Sequence, residues 1–223
     1  MKYLIFVLCL TLFSCSTQKT GNKKKEHQIN EQVKKELCPY CEEVLIKDEK
    51  DIVNDLLQEE LTSDRYKGRE NQEIVLIAEA NSPIKPLFAY EYAFKDWCKS
   101  NRTNINKADV SNRWFLDSLQ INKFKNDIGC HWKSTDIIFL KVSIITQQSY
   151  KEIINNGDYI SMPEKLILII SKPLLIDKNK ALISFNSGSS VAGFNTIERF
   201  TVLMKKINGK WIKDTDYFDG VYE

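Results

Sequence analysis

The chain has 223 residues, which suits one domain or two small ones, and with 43% hydrophobic and 28% charged residues its bulk is expected to be globular rather than disordered. Its formal charge of +2 excludes a strong global field, so no nucleic-acid partner is expected. Only two histidines are present, against six cysteines, so cysteine chemistry and compartment are the first questions.

The first predicted element is apolar. "MKYLIFVLCLTLFSC" carries Lys2 and then a largely apolar run from Tyr3 to Phe13. That run has about half of the ~20 residues a spanning helix needs, so it predicts a signal peptide over residues 1–14 and not a transmembrane helix. Its end, Leu12-Phe13-Ser14-Cys15, resembles the lipobox of bacterial lipoproteins. The resemblance implies lipidation of Cys15 on its sulfur, with Cys15 as the new N-terminus and a palmitate-bearing lipid as the membrane anchor. In that family an aspartate after the cysteine often marks retention at the inner membrane. Ser16 stands here, so the resemblance implies the outer membrane of a Gram-negative cell envelope.

Residues 15–36 are polar, with "TGNKKKEHQINEQ" at their centre, and predict a flexible tether from the lipid to the domain. Lys23, Lys24 and Lys25 stand where they would touch anionic headgroups, although a solvated leash needs no such contact. Residues 37–223 are read as a single α+β domain, N-terminal helices packed on a C-terminal antiparallel β-meander.

Within it, "DEKDIVNDLLQEEL" predicts a helix with Asp48 as N-cap. Its Ile52, Val53, Leu56, Leu57 and Leu61 fall on one face. "EIVLIAEA" (73–80) predicts a short strand, and Pro83 and Pro86 punctuate the next stretch. "LFAYEYAFKDWCK" is ambiguous between helix and strand, whereas "SNRWFLDSLQINKF" leans to helix. "DIIFLKVSII" predicts a strand. "EKLILIISKPLLI" predicts one long strand with Pro173 at an edge or bulge, "DKNK" a turn and "ALISF" another strand. "NSGSSVAGFN" is read as a loop. "IERFTVLMKK" and "KWIKDTDYF" form a hairpin through Asn208-Gly209. From Ser171 to Ile212 the pattern "ISKPLLIDKNKALISF" followed by "LMKKINGKWI" resembles the C-terminal part of small bacterial lipoproteins of unknown function. That resemblance implies no catalytic residue. Relatives often place cysteines in the stretch that here runs from Ser187 to Gly193, so this loop is expected not to depend on a disulfide.

Four cysteines, Cys38, Cys41, Cys98 and Cys130, fall after the leader and lipobox. In an oxidising envelope they are disulfide candidates, with three possible pairings. Cys38-Pro39-Tyr40-Cys41 also has the spacing of a thiol-disulfide enzyme. Two features oppose that reading: "NEQVKKEL" is no strand, and Glu42 and Glu43 disfavour a thiolate beside Cys41. Pro163, just ahead of a strand, supports it, as such folds place a proline there. A zinc site would need Cys38 and Cys41 with Cys98 and Cys130 or His131. There is no second close pair, so no metal is expected. His131 beside Cys130 and Trp132 reads as structural rather than as a general base.

"GSSVAG" (188–193) is a residue too long for a nucleophile elbow, and it lacks the Lys and Ser/Thr of a phosphate loop. "DTDYFDG" (214–220) lacks the terminal glutamate of a calcium loop. Trp97 and Trp114 flank a polar stretch and are possible ligand-face aromatics, with core packing the competing role; Trp211 reads as core.

The sequence therefore points to a non-catalytic binding or structural module at the envelope membrane. No catalytic residue and no cofactor are expected; the expected partners are the membrane, through the lipid, and an envelope protein or glycan. The alternative is an envelope thiol-disulfide oxidoreductase using Cys38 and Cys41. A hydrolase built from carboxylates that converge only in space forms a third class.

Overall fold

In the computed structural model, residues 45–102, 106, 107, 110, 114, 116, 118–125, 129–191 and 193–217 are described. All described residues belong to one compact unit, which begins at Tyr40. Their architecture is mixed α+β, with four α-helices and a seven-stranded mixed sheet among the described residues.

The first helix, α1 (Lys47–Leu61), follows the apolar spacing read from sequence, and Ile52, Val53, Leu56 and Leu57 are fully buried. Its start differs. Ile46, not Asp48, is the N-cap, and its backbone N–H donates to Glu49 Oε2 at 2.9 Å. Asp48 lies in the first turn and binds Lys206 Nζ at 2.6 Å, so its carboxylate serves the sheet instead of the cap.

Strand β1 (Glu73–Ile77) leads to α2 (Ile84–Ser100), which settles the ambiguous aromatic stretch as helix. Pro83 caps it and Pro86 stands in its first turn, where a missing N–H is tolerated. The short helix α3 (Ser118–Phe124) comes next.

The stretch "DIIFLKVSII" is a strand only at its end, β2 (Val142–Ile145). Asn54 on α1 explains the shortening. Its Oδ1 accepts the backbone N–H groups of Ile138 (2.8 Å) and Phe139 (3.2 Å), and its Nδ2 donates to the Asp136 carbonyl at 2.8 Å. Those backbone groups are thereby taken from any ladder. Helix α4 (Gln147–Asn155) has no counterpart among the elements expected from sequence.

The predicted long strand divides at Ser171–Pro173 into β3 (Lys165–Ile170) and β4 (Leu174–Asp177). Both pair antiparallel with β5 (Lys180–Ser189): β3 along Phe185–Ser189 and β4 along Lys180–Leu182. The supposed loop from Asn186 is therefore strand as far as Ser189. Gly188 is accommodated because the Phe194 ring lies over it, where a Cβ would come within 2.6 Å. The sheet ends with β6 (Asn195–Ile207) and β7 (Lys210–Tyr217). They are joined at Asn208 (φ 53°) and Gly209 (φ 84°), the left-handed pair expected of this hairpin.

Strand order is β2-β1-β3-β5-β6-β7, with β4 paired to β5 off this path. The C-terminal meander is antiparallel as expected, but β1 pairs in parallel with both β2 and β3. The sheet is thus mixed, and not confined to the C-terminal third.

Alternation along the strands builds two faces. On one, Ala181, Ile183 and Phe185 of β5 join Val202, Met204 and Trp211 against α1. On the other, Leu182 and Leu203 meet Leu87 and Tyr90 of α2, while Val75, Ile77 and Ile167 pack near Tyr150 of α4.

Candidate functional site

The second sheet face is apolar at both ends and polar between them. Along β5, Leu182 belongs to the cluster under α2, and Gly188 is covered by Phe194 of the cluster near α4. Ser184 and Asn186 lie between these positions on the same face. They form the floor of a cavity of about 310 Å³, together with Ile169 of β3 and Arg199 and Thr201 of β6. Lys85 and Phe88 of α2 also line it, and Phe88 is 52% exposed.

The polar groups of this groove are ordered by the sheet. Ser184 Oγ and Thr201 Oγ1 are 2.5 Å apart, one hydrogen bond shared by two hydroxyls. Below them, Ser171 Oγ accepts the backbone N–H of Ser184 at 2.9 Å. Asn186 Oδ1 is shielded from solvent and has no hydrogen-bond partner among the described residues. Among the described residues, the lining contains two cationic side chains and no carboxylate. Among the described lining residues there is no cysteine or histidine.

The sequence-predicted residues lie elsewhere. Trp114 is 8% exposed and sits in the core under α2, edge-on to Tyr90 at 5.3 Å. Trp97 packs beside it at 6.2 Å and stacks on Phe94 at 6.5 Å, so the structure brings both tryptophans together within an aromatic cluster. Cys98 is half-buried on α2, whereas Cys130 is buried against the first core cluster. Cys15, Cys38 and Cys41 fall outside the described residues. His131 forms an isolated bridge opposite Glu79, and the neighbouring Trp132 donates its indole N–H to the Ile170 carbonyl at 3.3 Å. The stretch containing His131 is thus part of the packing beside the sheet. No group of three or more metal-ligating side chains occurs among the described residues.

Carboxylates do converge at one place. Arg65 Nη1 binds Glu60 Oε1 at 3.1 Å and Glu198 Oε2 at 2.6 Å, and Lys213 Nζ binds Glu60 Oε2 at 3.0 Å. Beside them the Tyr66 hydroxyl meets Ser187 Oγ at 2.6 Å. Both acids are engaged by cations that link α1, the adjoining 3-10 turn (Asp64–Tyr66), β6 and β7. This is the chemistry of a structural ion-pair network, with no unneutralised acid beside a second one poised as base.

The groove escaped the sequence reading because its residues are individually ordinary. Ser184, Asn186, Arg199 and Thr201 meet only through the register Ser184↔Thr201 and Asn186↔Arg199. The available signal was polar side chains on the second face of a sheet whose other face is apolar. No helix among the described residues is long and apolar enough to cross a membrane. No protein-family model, curated protein or solved structure matches the chain.

Proposed function

We propose that this protein is a non-catalytic binding module of the bacterial cell envelope. In this reading it is held at the outer membrane by a lipid on Cys15, and it takes its ligand in the groove on the second sheet face. The observation that carries the binding role is the groove itself, where hydroxyl, amide and cationic groups line a cavity of about 310 Å³. That volume lies at the small-ligand end of binding sites, roughly 300–1,000 Å³. Leu12-Phe13-Ser14-Cys15 supports the anchor, and Ser16 supports the outer membrane.

Titration of the isotopically labelled full chain with a small-molecule fragment library tests the binding role. Amide shifts clustered on Ser184, Asn186, Arg199 and Thr201 are expected. Shifts confined to other surfaces would remove the groove from the proposal. The anchor has its own test, in which cells expressing the chain are fed a clickable fatty acid. Label on the wild-type protein is expected, and Cys15→Ala abolishes it; label that survives this substitution would sink the lipoprotein reading.

A further inference from the structure

The loop leading into β2 turns two adjacent apolar side chains outward. Ile138 is 82% exposed and Phe139 38%, between the buried Ile137 and Leu140, which packs against the first core cluster. We infer that residues 137–141 dock on an anionic lipid surface. The inference stands apart from the groove and from the lipid on Cys15.

Three observations carry it. First, the loop is held in place. Asn54 Oδ1 accepts the backbone N–H groups of Ile138 at 2.8 Å and Phe139 at 3.2 Å, and Asn54 Nδ2 donates to the Asp136 carbonyl at 2.8 Å. A slack loop would fold Ile138 inward, whereas this one is fixed with Ile138 in solvent. The same bonds suit the tip to an apolar medium, where a peptide N–H without a partner is costly. They also leave neither N–H for a partner's strand to pair with. Second, the charge around the tip is positive. Asp136 is the one acid in residues 129–141, and it is buried. Its carboxylate binds Lys50 Nζ at 2.9 Å and accepts the Lys133 backbone N–H at 2.9 Å. Lys133 and Lys141 stand on either side of the apolar pair in the chain. Both are exposed and have no ion-pair partner among the described residues. An apolar tip between two cations complements acyl chains beneath a layer of phosphate groups. Third, the patch is small. A stable protein interface covers on the order of 800 Å² of each partner, far more than two adjacent side chains offer. Insertion into lipid needs no such area, because each apolar side chain gains by leaving water.

The test mixes the isotopically labelled full chain with nanodiscs of phosphatidylcholine, with and without added phosphatidylglycerol, each carrying a nitroxide-labelled lipid. The amide signals of residues 137–141 are expected to broaden, more strongly on the anionic discs, and less as salt is raised. Ile138→Ser is expected to lower the docked-to-free ratio of the loop roughly 10- to 100-fold; Phe139→Ser is the second variant if Ile138→Ser does not fold. Lys133→Gln and Lys141→Gln are each expected to lower that ratio about fivefold on anionic discs and to leave it unchanged on neutral ones. Equal broadening on both kinds of disc, loop broadening that survives both serine substitutions, or broadening confined to other surfaces would overturn the inference. Loop amides that shift with a soluble envelope extract but with neither disc would assign the loop to a protein partner instead. A loop undisturbed by either disc would overturn the inference whatever the fatty-acid label shows at Cys15.

Discussion

Tyr66 is 3% exposed, and its hydroxyl meets Ser187 Oγ at 2.6 Å. Burial pushes its ionisation up to about 12, and burial does the same to Tyr150, whose hydroxyl donates to the Gly193 carbonyl at 2.6 Å. A folded value above the unfolded value of about 10 stabilises the fold fully below pH 10 and is lost as pH rises towards 12. Two of the nine tyrosines should therefore resist ionisation until about pH 12, seen in ultraviolet absorbance. Urea midpoints should fall between pH 10 and 12, and less so in Tyr66→Phe; a variant that falls as steeply as the wild type would refute the assignment to Tyr66. At this scale the sequence was informative about burial and weak about sites. Trp211, read as core, is fully buried, because an aromatic on an alternating strand has few other places to go. Asn54, by contrast, has nothing in its flanking residues to show that it will hold the backbone of residues 136–139, since that contact depends on how α1 meets a distant loop.

Helix α1 is tied to the rest of the domain by its acids, which reach outward to the sheet: Asp48 to Lys206, Glu49 to Lys172, Asp55 to the Trp211 N–H, and Glu60 to Lys213. The Glu49–Lys172 pair is buried on both sides, with 3.7 Å between Nζ and Oε1. Lys172 stands at the break between β3 and β4, so this pair fixes the helix start to the bend in the sheet. Removing one partner of a buried pair strands the other charge, so Lys172→Ala should cost about 3–5 kcal/mol in urea denaturation. Lys47→Ala, at the exposed Lys47–Asp51 pair, should cost less than about 1 kcal/mol. A similar small loss for both would refute the role given to Lys172. Elements with strong periodicity were legible from sequence: α1, β1 and the β6–β7 hairpin. The misread elements were those whose outcome depends on a partner. Gly188 reads as loop until Phe194 covers it, and Ile138 reads as strand until Asn54 takes its N–H.

Across the whole sheet, β5 and β6 send alternate residues to opposite faces, so the cores under α1 and α2 share the same strands. Neither core can be lost without disturbing the backbone that supports the other. Tryptophan fluorescence and far-ultraviolet dichroism should therefore give coincident urea transitions, and well-separated midpoints would contradict this coupling. The α+β class was legible because helical and alternating stretches are both plain in the sequence. The parallel pairing of β1 was not, since parallel partners are distant in the chain and leave no turn signal between them. That pairing also sets an order of assembly during synthesis. Ile74 has no strand to join until Val142 has been made, and Glu73 waits for Lys165. The β6–β7 hairpin, though made after the other described strands, closes through local contacts and is quick to form. Among the described strands β1 thus waits longest for its partners, and a holding chaperone would find its binding segment in the apolar run Ile74–Ile77.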